Sequence, residues 1–223
     1  MTIKKALKIT ATFAVLALLS IYIIQIRPVK GLPADSMWTE PDTITLEATT
    51  PIGFKFNITV YANLSVPTYT WQMYLIYNKA HLNATGCWYS AGAKSEWAGT
   101  RPTAPQTPSY GSHNTTHNYV LFGESLLGAA ETPPGSYSLA FVEFEVIAVP
   151  PEGQVYQSQI RLDIVGVFNS FILDTDLNEI PLNFAGTTYT IDEFIVTMLL
   201  TALILTTASA VLLKNKLLKT KRI

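Results

Sequence analysis

The amino-acid sequence predicts an all-β protein: a sandwich of two antiparallel sheets, lying between two apolar end segments. Apolar and polar residues alternate with a period of two through most of the middle of the chain. That period is typical of strands with one buried face and one wet face. Clusters of proline and glycine separate the alternating stretches, and no helical period lies between them. Two such sheets packed face to face bury their apolar sides against each other.

The N-terminal segment has three lysines followed by an uncharged run of 18 residues, 9–26. A charged start before an apolar centre is typical of a signal peptide. The run is long for a signal peptide, and no clear small-residue cleavage site follows it. A cleaved signal peptide and an uncleaved anchor therefore both remain open for residues 1–30.

The C-terminal segment contains a second uncharged run of 20 residues, 194–213, and five basic residues follow it within 214–223. At about 1.5 Å of rise per residue, such a helix spans the roughly 30 Å hydrocarbon core of a bilayer. A buried core helix is the alternative, but it would normally show a polar stripe. Basic residues stay on the cytoplasmic side. The sequence therefore predicts a cytoplasmic tail and a single domain, residues 31–193, outside the cell membrane.

The predicted outer domain is acidic, with five basic residues against all 16 acidic residues of the chain. Nucleic acid is excluded as an expected partner, because phosphate binding needs clustered Lys and Arg. Cys87 is the single cysteine, so no intrachain disulfide can form. Stability must come from packing alone, which suits a prokaryotic cell surface. We expect Cys87 to be a small buried apolar residue.

The strands follow from the parity of the apolar residues. Even-numbered residues are apolar in 54–62 and 140–148, and odd-numbered residues are apolar in 69–77. Further strands are predicted around residues 44–46, 119–127 and 160–164. The core-facing residues of the 69–77 strand are then Trp71, Met73, Leu75 and Tyr77. The outward-facing residues of the same strand are Thr68, Thr70, Gln72, Tyr74 and Ile76.

Residues 88–118 form one long segment without clear alternation, and it contains Trp88, Trp97 and Tyr110. Loops of this length in a compact domain are often functional or disordered. Aromatic residues on a loop can anchor a partner or stack on sugars. They can also fold back as a lid over the core, and both interpretations stay open.

Few residues suggest chemistry. Asp174, Asp176 and Asn178 resemble the start of a calcium loop, but Glu179 stands where that loop needs glycine, which favours a polar hairpin turn. His113 and His117 lie in a loop rich in Thr and Asn, without a third metal ligand nearby in the sequence. No nucleophile elbow, phosphate loop or dinucleotide fingerprint occurs. We therefore predict no metal, no cofactor and no catalytic residue.

The acceptor pattern for N-linked glycans, Asn-x-Ser/Thr, occurs four times. Parity places Asn57 and Asn63 on the polar face of their strand, where a glycan can project into water. The predicted glycosylation sites are Asn57, Asn63, Asn83 and Asn114.

The segment TWQMYLIYNKAHLNATG, residues 70–86, resembles the third-strand region of cohesin domains. There, a strand ending in Tyr-Asp or Tyr-Asn is followed by a turn, a leucine and a glycine. The resemblance continues, in order, through PDTITLEATTPIGFKFNITV (41–60), YVLFGESLLGAA (119–130), GSYSLAFVEFEVIA (135–148) and RLDIVGVFNSFILDTDLNEIP (161–181). It covers roughly residues 40–191, and the segment 88–118 is longer than in a typical cohesin.

This resemblance implies a nine-stranded jelly-roll sandwich, related in shape to carbohydrate-binding modules. Cohesins bind the dockerin domains of polysaccharide-degrading enzymes through one flat sheet face. The large apolar groups of Tyr74 and Ile76 on an outward face are consistent with such a contact surface. A face covered by the long loop would explain them equally well.

The function we expect is therefore that of a membrane-anchored extracellular binding module, not an enzyme, for a dockerin-type protein or a polysaccharide. A self-associating surface subunit is the alternative, and a glycosidase on a sandwich scaffold is a third hypothesis. The predicted partner-binding residues are Thr70, Gln72, Tyr74, Ile76, Trp88, Trp97 and Tyr110.

Overall fold

The computed structural model of the protein describes residues 32–47, 50–104, 106–151, 154–162 and 168–192. The chain divides into two compact units, Met1–Leu32 and Pro33–Ile223, and every described residue except Leu32 belongs to the second. Both predicted membrane segments, in residues 1–30 and 194–213, lie outside the described residues. Within the described ranges, no helix is long and apolar enough to cross a membrane.

The described residues form thirteen β-strands and no helix, as expected for an all-β chain. In chain order the strands are β1 (Ser36–Glu40), β2 (Thr43–Glu47), β3 (Lys55–Leu64), β4 (Thr68–Asn78), β5 (Leu82–Tyr89), β6 (Thr103–Ala104), β7 (Ser109–Ser112), β8 (His117–Leu126), β9 (Gly135–Val146), β10 (Val155–Leu162), β11 (Phe171–Asp174), β12 (Asn183–Ala185) and β13 (Thr187–Asp192).

The strands form two sheets that make a sandwich. The five-stranded sheet has the order β12-β1-β3-β9-β5. The eight-stranded sheet follows the path β2-β13-β10-β4-β8-β6, with β11 also paired to β4 and β7 also paired to β8. Most pairs are antiparallel, and the pairs β1–β12 and β2–β13 are parallel.

The expected count of nine strands is wrong for this chain, and the additional strands have identifiable origins. The long segment 88–118 contributes β6 and β7, which both pair with β8. The neighbour of β4 on one side is split, because β10 pairs with the end of β4 at Leu75 and Ile76 while β11 pairs with its beginning. The pairing of β7 with β8 is a local hairpin, whereas β10 and β11 pair with β4 from a distant part of the sequence.

The core lies between the sheets, on the sides that the alternation predicted. Trp71, Met73, Leu75 and Tyr77 of β4 are all buried in the main apolar cluster, as expected. Trp71 makes edge-to-face contacts with Tyr89 and Phe122, at ring-centroid distances of 6.4 Å and 6.0 Å. Such aromatic pairs stabilise a core beyond the area they bury. Alternate residues of β3 and β9 fill the opposite side: Ile58, Val60, Ala62, Ala140, Val142, Phe144 and Val146.

The first half of segment 88–118 folds back as a lid over the core. Trp97 is fully buried, and its indole N–H donates a hydrogen bond to the hydroxyl of Thr68 at 2.8 Å. The backbone carbonyl of Trp97 accepts a hydrogen bond from the hydroxyl of Thr132 at 2.9 Å. Nearby, the hydroxyl of Ser95 donates a very short hydrogen bond to the buried carboxylate of Glu124. The lid interpretation is thus correct for Trp97.

Cys87 is a free cysteine, partly buried against the core. Burial raises the pKa of its thiol well above the ordinary range, because the apolar surroundings disfavour the charged thiolate. A thiol held in its neutral form is a poor nucleophile and metal ligand. Cys87 therefore behaves as the small apolar residue that the sequence predicted.

The Asp174–Asn178 segment is a polar hairpin turn, as predicted. The carboxylate of Asp174 accepts hydrogen bonds from the backbone N–H groups of Asp176 and Asn178 at 2.9 Å and 2.8 Å. These bonds, led by that from Asn178, lower the pKa of Asp174. Across the described part of the chain, no group of three or more His, Cys, Asp or Glu side chains is placed to hold a metal ion.

Candidate binding surfaces

The outward row of β4 lies on the predicted side of its sheet but is less exposed than predicted. Tyr74 and Ile76 do not belong to the main core cluster, which agrees with their outward parity. Their exposed fractions are nevertheless only 3% and 0%. The expectation that both present apolar surface to solvent is therefore wrong. Parity fixes the side of a sheet on which a residue lies, while the exposure depends on what else packs there.

Aromatic groups from distant parts of the chain cover Tyr74. Its ring lies 4.8 Å from the ring of Tyr119, 5.8 Å from His113 and 6.1 Å from Phe168, measured between centroids. Its hydroxyl is 3.0 Å from Nδ1 of His113, and its backbone N–H donates to the hydroxyl of Ser170 at 2.8 Å. The long segment thus contributes His113 to this cover, as the alternative interpretation held. Phe168 and Ser170 come from the connection between β10 and β11.

The polar members of the row are engaged within the domain. The hydroxyl of Thr70 lies 2.6 Å from the hydroxyl of Ser125, and the amide nitrogen of Gln72 donates to the carbonyl of Asn169 at 2.8 Å. Thr68, the first predicted outward residue, is fully buried and holds the indole of Trp97. Gln72 is half-buried and the side chain of Phe168 is 40% exposed, so a partner that docks on this side of β4 would contact these two residues.

We define the β4–β8 face as the outward surface formed by Gln72, Tyr119, Leu121 and Phe168. Cross-strand pairing places Leu121 opposite Tyr74 and Tyr119 opposite Ile76, so both side chains share the outward side of the sheet. Phe168 lies on top of this layer, with its ring centroid 6.1 Å from both Tyr74 and Tyr119. The face is apolar at its centre and contains no charged side chain among these four. Sequence reasoning missed Phe168, because only the tertiary fold brings it onto β4.

The three aromatic residues predicted on the long loop lie in three different places. Trp97 is in the core. Tyr110 pairs with the buried Val120, so it lies on the core side of the eight-stranded sheet, where it is 45% exposed. Partial burial raises its pKa to about 12. Trp88 lies near the end of β5 in the five-stranded sheet, where it pairs with Phe141 of β9. The structure therefore does not gather the seven predicted partner-binding residues into one site.

Four aromatic side chains form a row across the outer face of the five-stranded sheet. They come from four adjacent strands: Trp38 from β1, Tyr61 from β3, Phe141 from β9 and Trp88 from β5. The rings of Trp38 and Tyr61 stack at 5.4 Å with an interplanar angle of 17°, and those of Trp88 and Phe141 lie 6.3 Å apart. The two ring pairs are offset along the strands, because Phe141 pairs with Thr59 and not with Tyr61, so the aromatic row runs obliquely across the sheet. Trp88 is its most exposed member, at 40%.

Carboxylates border the aromatic row. Glu40 accepts a hydrogen bond from the indole N–H of Trp38 at 3.1 Å. Glu96 reaches over from the lid and accepts from the backbone N–H and the hydroxyl of Ser138, at 3.0 Å and 2.7 Å, which lowers its pKa. Burial raises the pKa of Tyr61, and the charges of Glu40 and Glu96 add to this effect. The margin of the row therefore carries fixed negative charge and hydrogen-bond acceptors at neutral pH.

Three of the four predicted glycosylation asparagines lie on this same outer face. Asn57 and Asn83 are exposed and pair across the strands with Glu143 and Glu145 of β9. Asn63 is half-buried, and its amide oxygen accepts a hydrogen bond from the hydroxyl of Ser136 at 2.9 Å. The outward parity predicted for Asn57 and Asn63 is correct. Asn114 lies in the turn before β8, where its side-chain oxygen accepts from the backbone N–H of His117 at 2.8 Å.

No protein-family model matches the sequence, and no curated protein matches it. Among solved structures, the chain is similar in fold to cohesin modules. It is 14% identical to a non-cellulosomal cohesin from the archaeon Archaeoglobus fulgidus, covering 71% of this chain and 91% of that one, with a TM-score of 0.42. It is 17% identical to a type II cohesin from Bacteroides cellulosolvens, with coverages of 69% and 98% and a TM-score of 0.45. A type I cohesin–dockerin complex from Clostridium thermocellum is similar at 12% identity, with coverages of 73% and 97% and a TM-score of 0.47.

Proposed function

We propose that the chain is an extracellular, membrane-anchored, non-catalytic binding module that recognises a folded dockerin-type protein through the β4–β8 face. The observation that carries this proposal is the placement of Phe168. Its ring is 40% exposed and rests on Tyr74 and Tyr119, which hold it at the centre of an outward sheet face. Protein interfaces are enriched in aromatic residues and depleted of charge at their centres. The ordered resemblance of residues 40–191 to cohesins supports the class of partner.

The proposed location depends on the two ends of the sequence. A 20-residue uncharged run before a strongly basic tail favours a C-terminal anchor with its tail in the cytoplasm. The acidic balance of residues 31–193 suits a surface exposed to solvent outside the cell. On this proposal the sandwich projects from the membrane and presents the β4–β8 face to partners in the surrounding medium.

The test is direct binding of the full-length chain, in detergent solution, to a panel of purified dockerin modules. We expect at least one dockerin to bind with a dissociation constant in the micromolar range or below. The variant Phe168→Asp should lose that binding, because a charge at the interface centre must be desolvated. Ile52→Asp is the matched control, since Ile52 is 64% exposed in the turn before β3, a strand of the other sheet. Absence of binding across the panel would reject the class of partner.

A polysaccharide is the second candidate ligand, and the aromatic row is the observation that favours it. Planar aromatic side chains beside hydrogen-bond acceptors match the apolar faces and hydroxyl edges of sugar rings. Its test is titration of the full-length chain with soluble neutral oligosaccharides while tryptophan fluorescence is followed. Trp88→Ala should abolish a response that arises at the row.

A further inference from the structure

Two independent features coincide on the outer face of the five-stranded sheet. The aromatic row crosses this face, and Asn57, Asn63 and Asn83 lie around it. Each of these asparagines begins an Asn-x-Ser/Thr sequence, and no described strand of the eight-stranded sheet contains that pattern. Both features concern sugars, one as the attachment point and the other as the stacking surface.

The closest coincidence is at Tyr61 and Asn63. Residues two apart on a strand point to the same side and are separated by about 7 Å. Register also places Asn63 opposite Ser36 and Tyr61 opposite Trp38. The stacked rings of Tyr61 and Trp38 therefore form the cross-strand pair next to Asn63 on the same face. The side-chain nitrogen of Asn63 donates to the carbonyl of Pro33 at 3.3 Å, so a sugar attached there would replace this hydrogen bond and begin about 7 Å from Tyr61 along the strand.

The surroundings suit neutral sugar hydroxyls. Glu40 and Glu96 stand at the margin of the row, and hydrogen bonds from Ser138 lower the pKa of Glu96, so its carboxylate is ionised at neutral pH. Ionised carboxylates only accept hydrogen bonds, and hydroxyl groups can donate to them. Lys55 is the one basic residue of β3, and its ammonium is engaged with Glu143 at 2.8 Å. An anionic ligand would meet repulsion on this face.

We propose that the chain's own N-linked glycans, attached at Asn57, Asn63 and Asn83, cover this face and pack against the aromatic row. The inference rests on the outside location proposed above. Attachment requires a glycosyl phosphate donor from the host cell. The side-chain nitrogen of asparagine forms a bond to the anomeric carbon, and the bond from that carbon to the phosphate oxygen breaks. The phosphate leaves with the electron pair, and the amide proton passes to a base.

This covering assigns different roles to the two sheets. Glycans on the five-stranded sheet exclude protein partners from its outer face and shield the exposed aromatic groups from water. The β4–β8 face of the other sheet carries none of these three asparagines. Asn114, the fourth acceptor asparagine, lies in the turn between β7 and β8 of this sheet but is not one of the four residues that define the face, so the face itself remains the surface for a protein partner.

The first experiment is mass spectrometry of the full-length chain isolated from the membranes of its own host. We expect peptides containing Asn57, Asn63 and Asn83 to carry a glycan mass, and the peptide containing Asn183 to carry none. Asn183 is the matched control because it is exposed on β12 of the same sheet but lacks the acceptor pattern. Unmodified Asn57, Asn63 and Asn83 in a chain that external protease can reach would overturn the inference. Protection of the domain from external protease would instead reject the proposed location.

The second experiment tests the packing of sugar on the row. The melting temperature is compared between glycosylated chain and unglycosylated chain from a bacterial host, for wild type and for Tyr61→Ala. We expect glycosylation to raise the melting temperature of wild type by about 2–4 °C, the shift that a modest stabilising contact produces in a domain of this size. That gain should vanish in Tyr61→Ala, even though the variant itself is less stable. An equal gain in both proteins would contradict the contact. Saturable binding of free oligosaccharides at the row of the host-isolated chain would assign the row to an external polysaccharide and overturn the proposal.

Discussion

The indole nitrogen of Trp97 donates a hydrogen bond of 2.8 Å to the hydroxyl of Thr68, and both side chains are fully buried. The pair joins the lid to the first residue of β4. Thr132 strengthens the junction, because its hydroxyl donates to the Trp97 carbonyl and its backbone pairs with Thr68 in both directions. The lid, which shows no clear alternation in the sequence, is therefore attached to the sheet through the buried side chain of Trp97.

The first prediction concerns this junction. Thr68→Val keeps the shape of the side chain but leaves the buried indole N–H without an acceptor, which costs about 1–3 kcal/mol. Chemical denaturation of the purified chain should show that loss in the free energy of unfolding. Thr175→Val in the exposed hairpin is the control and should change stability by about 0.5 kcal/mol or less. Equal effects of the two changes would mean that the lid is not attached in this way.

The second prediction concerns the covered row of β4. Ile76→Lys places an ammonium group at a site with no exposed surface, opposite Arg161 on β10. An unpaired buried charge and a like charge across the strands both oppose folding, and we expect a loss of about 3–5 kcal/mol. Thermal and chemical denaturation measure it. Gln72→Lys on the same row is the control, since Gln72 is half-buried and its side chain can reach water. A melting temperature that Ile76→Lys leaves unchanged would show that the row is open to solvent.

The third prediction concerns pH. Burial lowers the pKa of His81 below its usual 6.5, and its ring stacks on Tyr156 at 4.2 Å while Nδ1 lies 2.9 Å from the hydroxyl of Tyr189. The unfolded chain therefore binds a proton more readily than the folded chain just below pH 6.5. The free energy of unfolding consequently decreases as the pH is lowered below 6.5. The contribution is complete above pH 6.5 and is lost as the pH falls toward the lowered value. Wild type should lose more stability than His81→Gln between pH 7.5 and 5.5 in denaturant titrations. Parallel curves for the two proteins would exclude His81 as the source.

The fourth prediction concerns orientation. Protease added to intact cells should digest residues 35–190 and leave a membrane-bound fragment that contains the basic tail. The expectation follows from the five basic residues after the second apolar run. An antibody to the C-terminal residues detects the fragment on a gel. Survival of the intact chain, with digestion only after the membrane is permeabilised, would reverse the topology.

The sequence predicted which residues face the core, because alternation is a local property of each strand. Trp71, Met73, Leu75 and Tyr77 are where parity places them. Parity could not predict that Tyr74 and Ile76 are covered. Part of that cover, His113, Phe168 and Ser170, comes from segments about 40 and 100 residues away from Tyr74.

The aromatic row was missed for a related reason. Trp38, Tyr61, Phe141 and Trp88 lie on four separate strands, and nothing local in the sequence links them. They come together on one face, as the pairs Trp38–Tyr61 and Trp88–Phe141, only because β1, β3, β9 and β5 are adjacent in the sheet. Two signals were available: the outward parity of Tyr61 in β3, two residues before an acceptor asparagine, and Trp88, which was predicted as a partner-binding residue.

The central claim is that a protein partner binds the β4–β8 face and not the outer face of the five-stranded sheet. The most direct test is a titration of the full-length chain with the dockerin module that binds it, comparing Phe168→Asp with Trp88→Asp. The two residues are equally exposed, at 40%, but Trp88 lies on the five-stranded sheet, whereas Phe168 packs against Tyr119 of the eight-stranded sheet. We predict that Phe168→Asp weakens binding at least tenfold, which is about 1.4 kcal/mol, while Trp88→Asp leaves the dissociation constant unchanged. A loss of binding confined to Trp88→Asp would contradict the account.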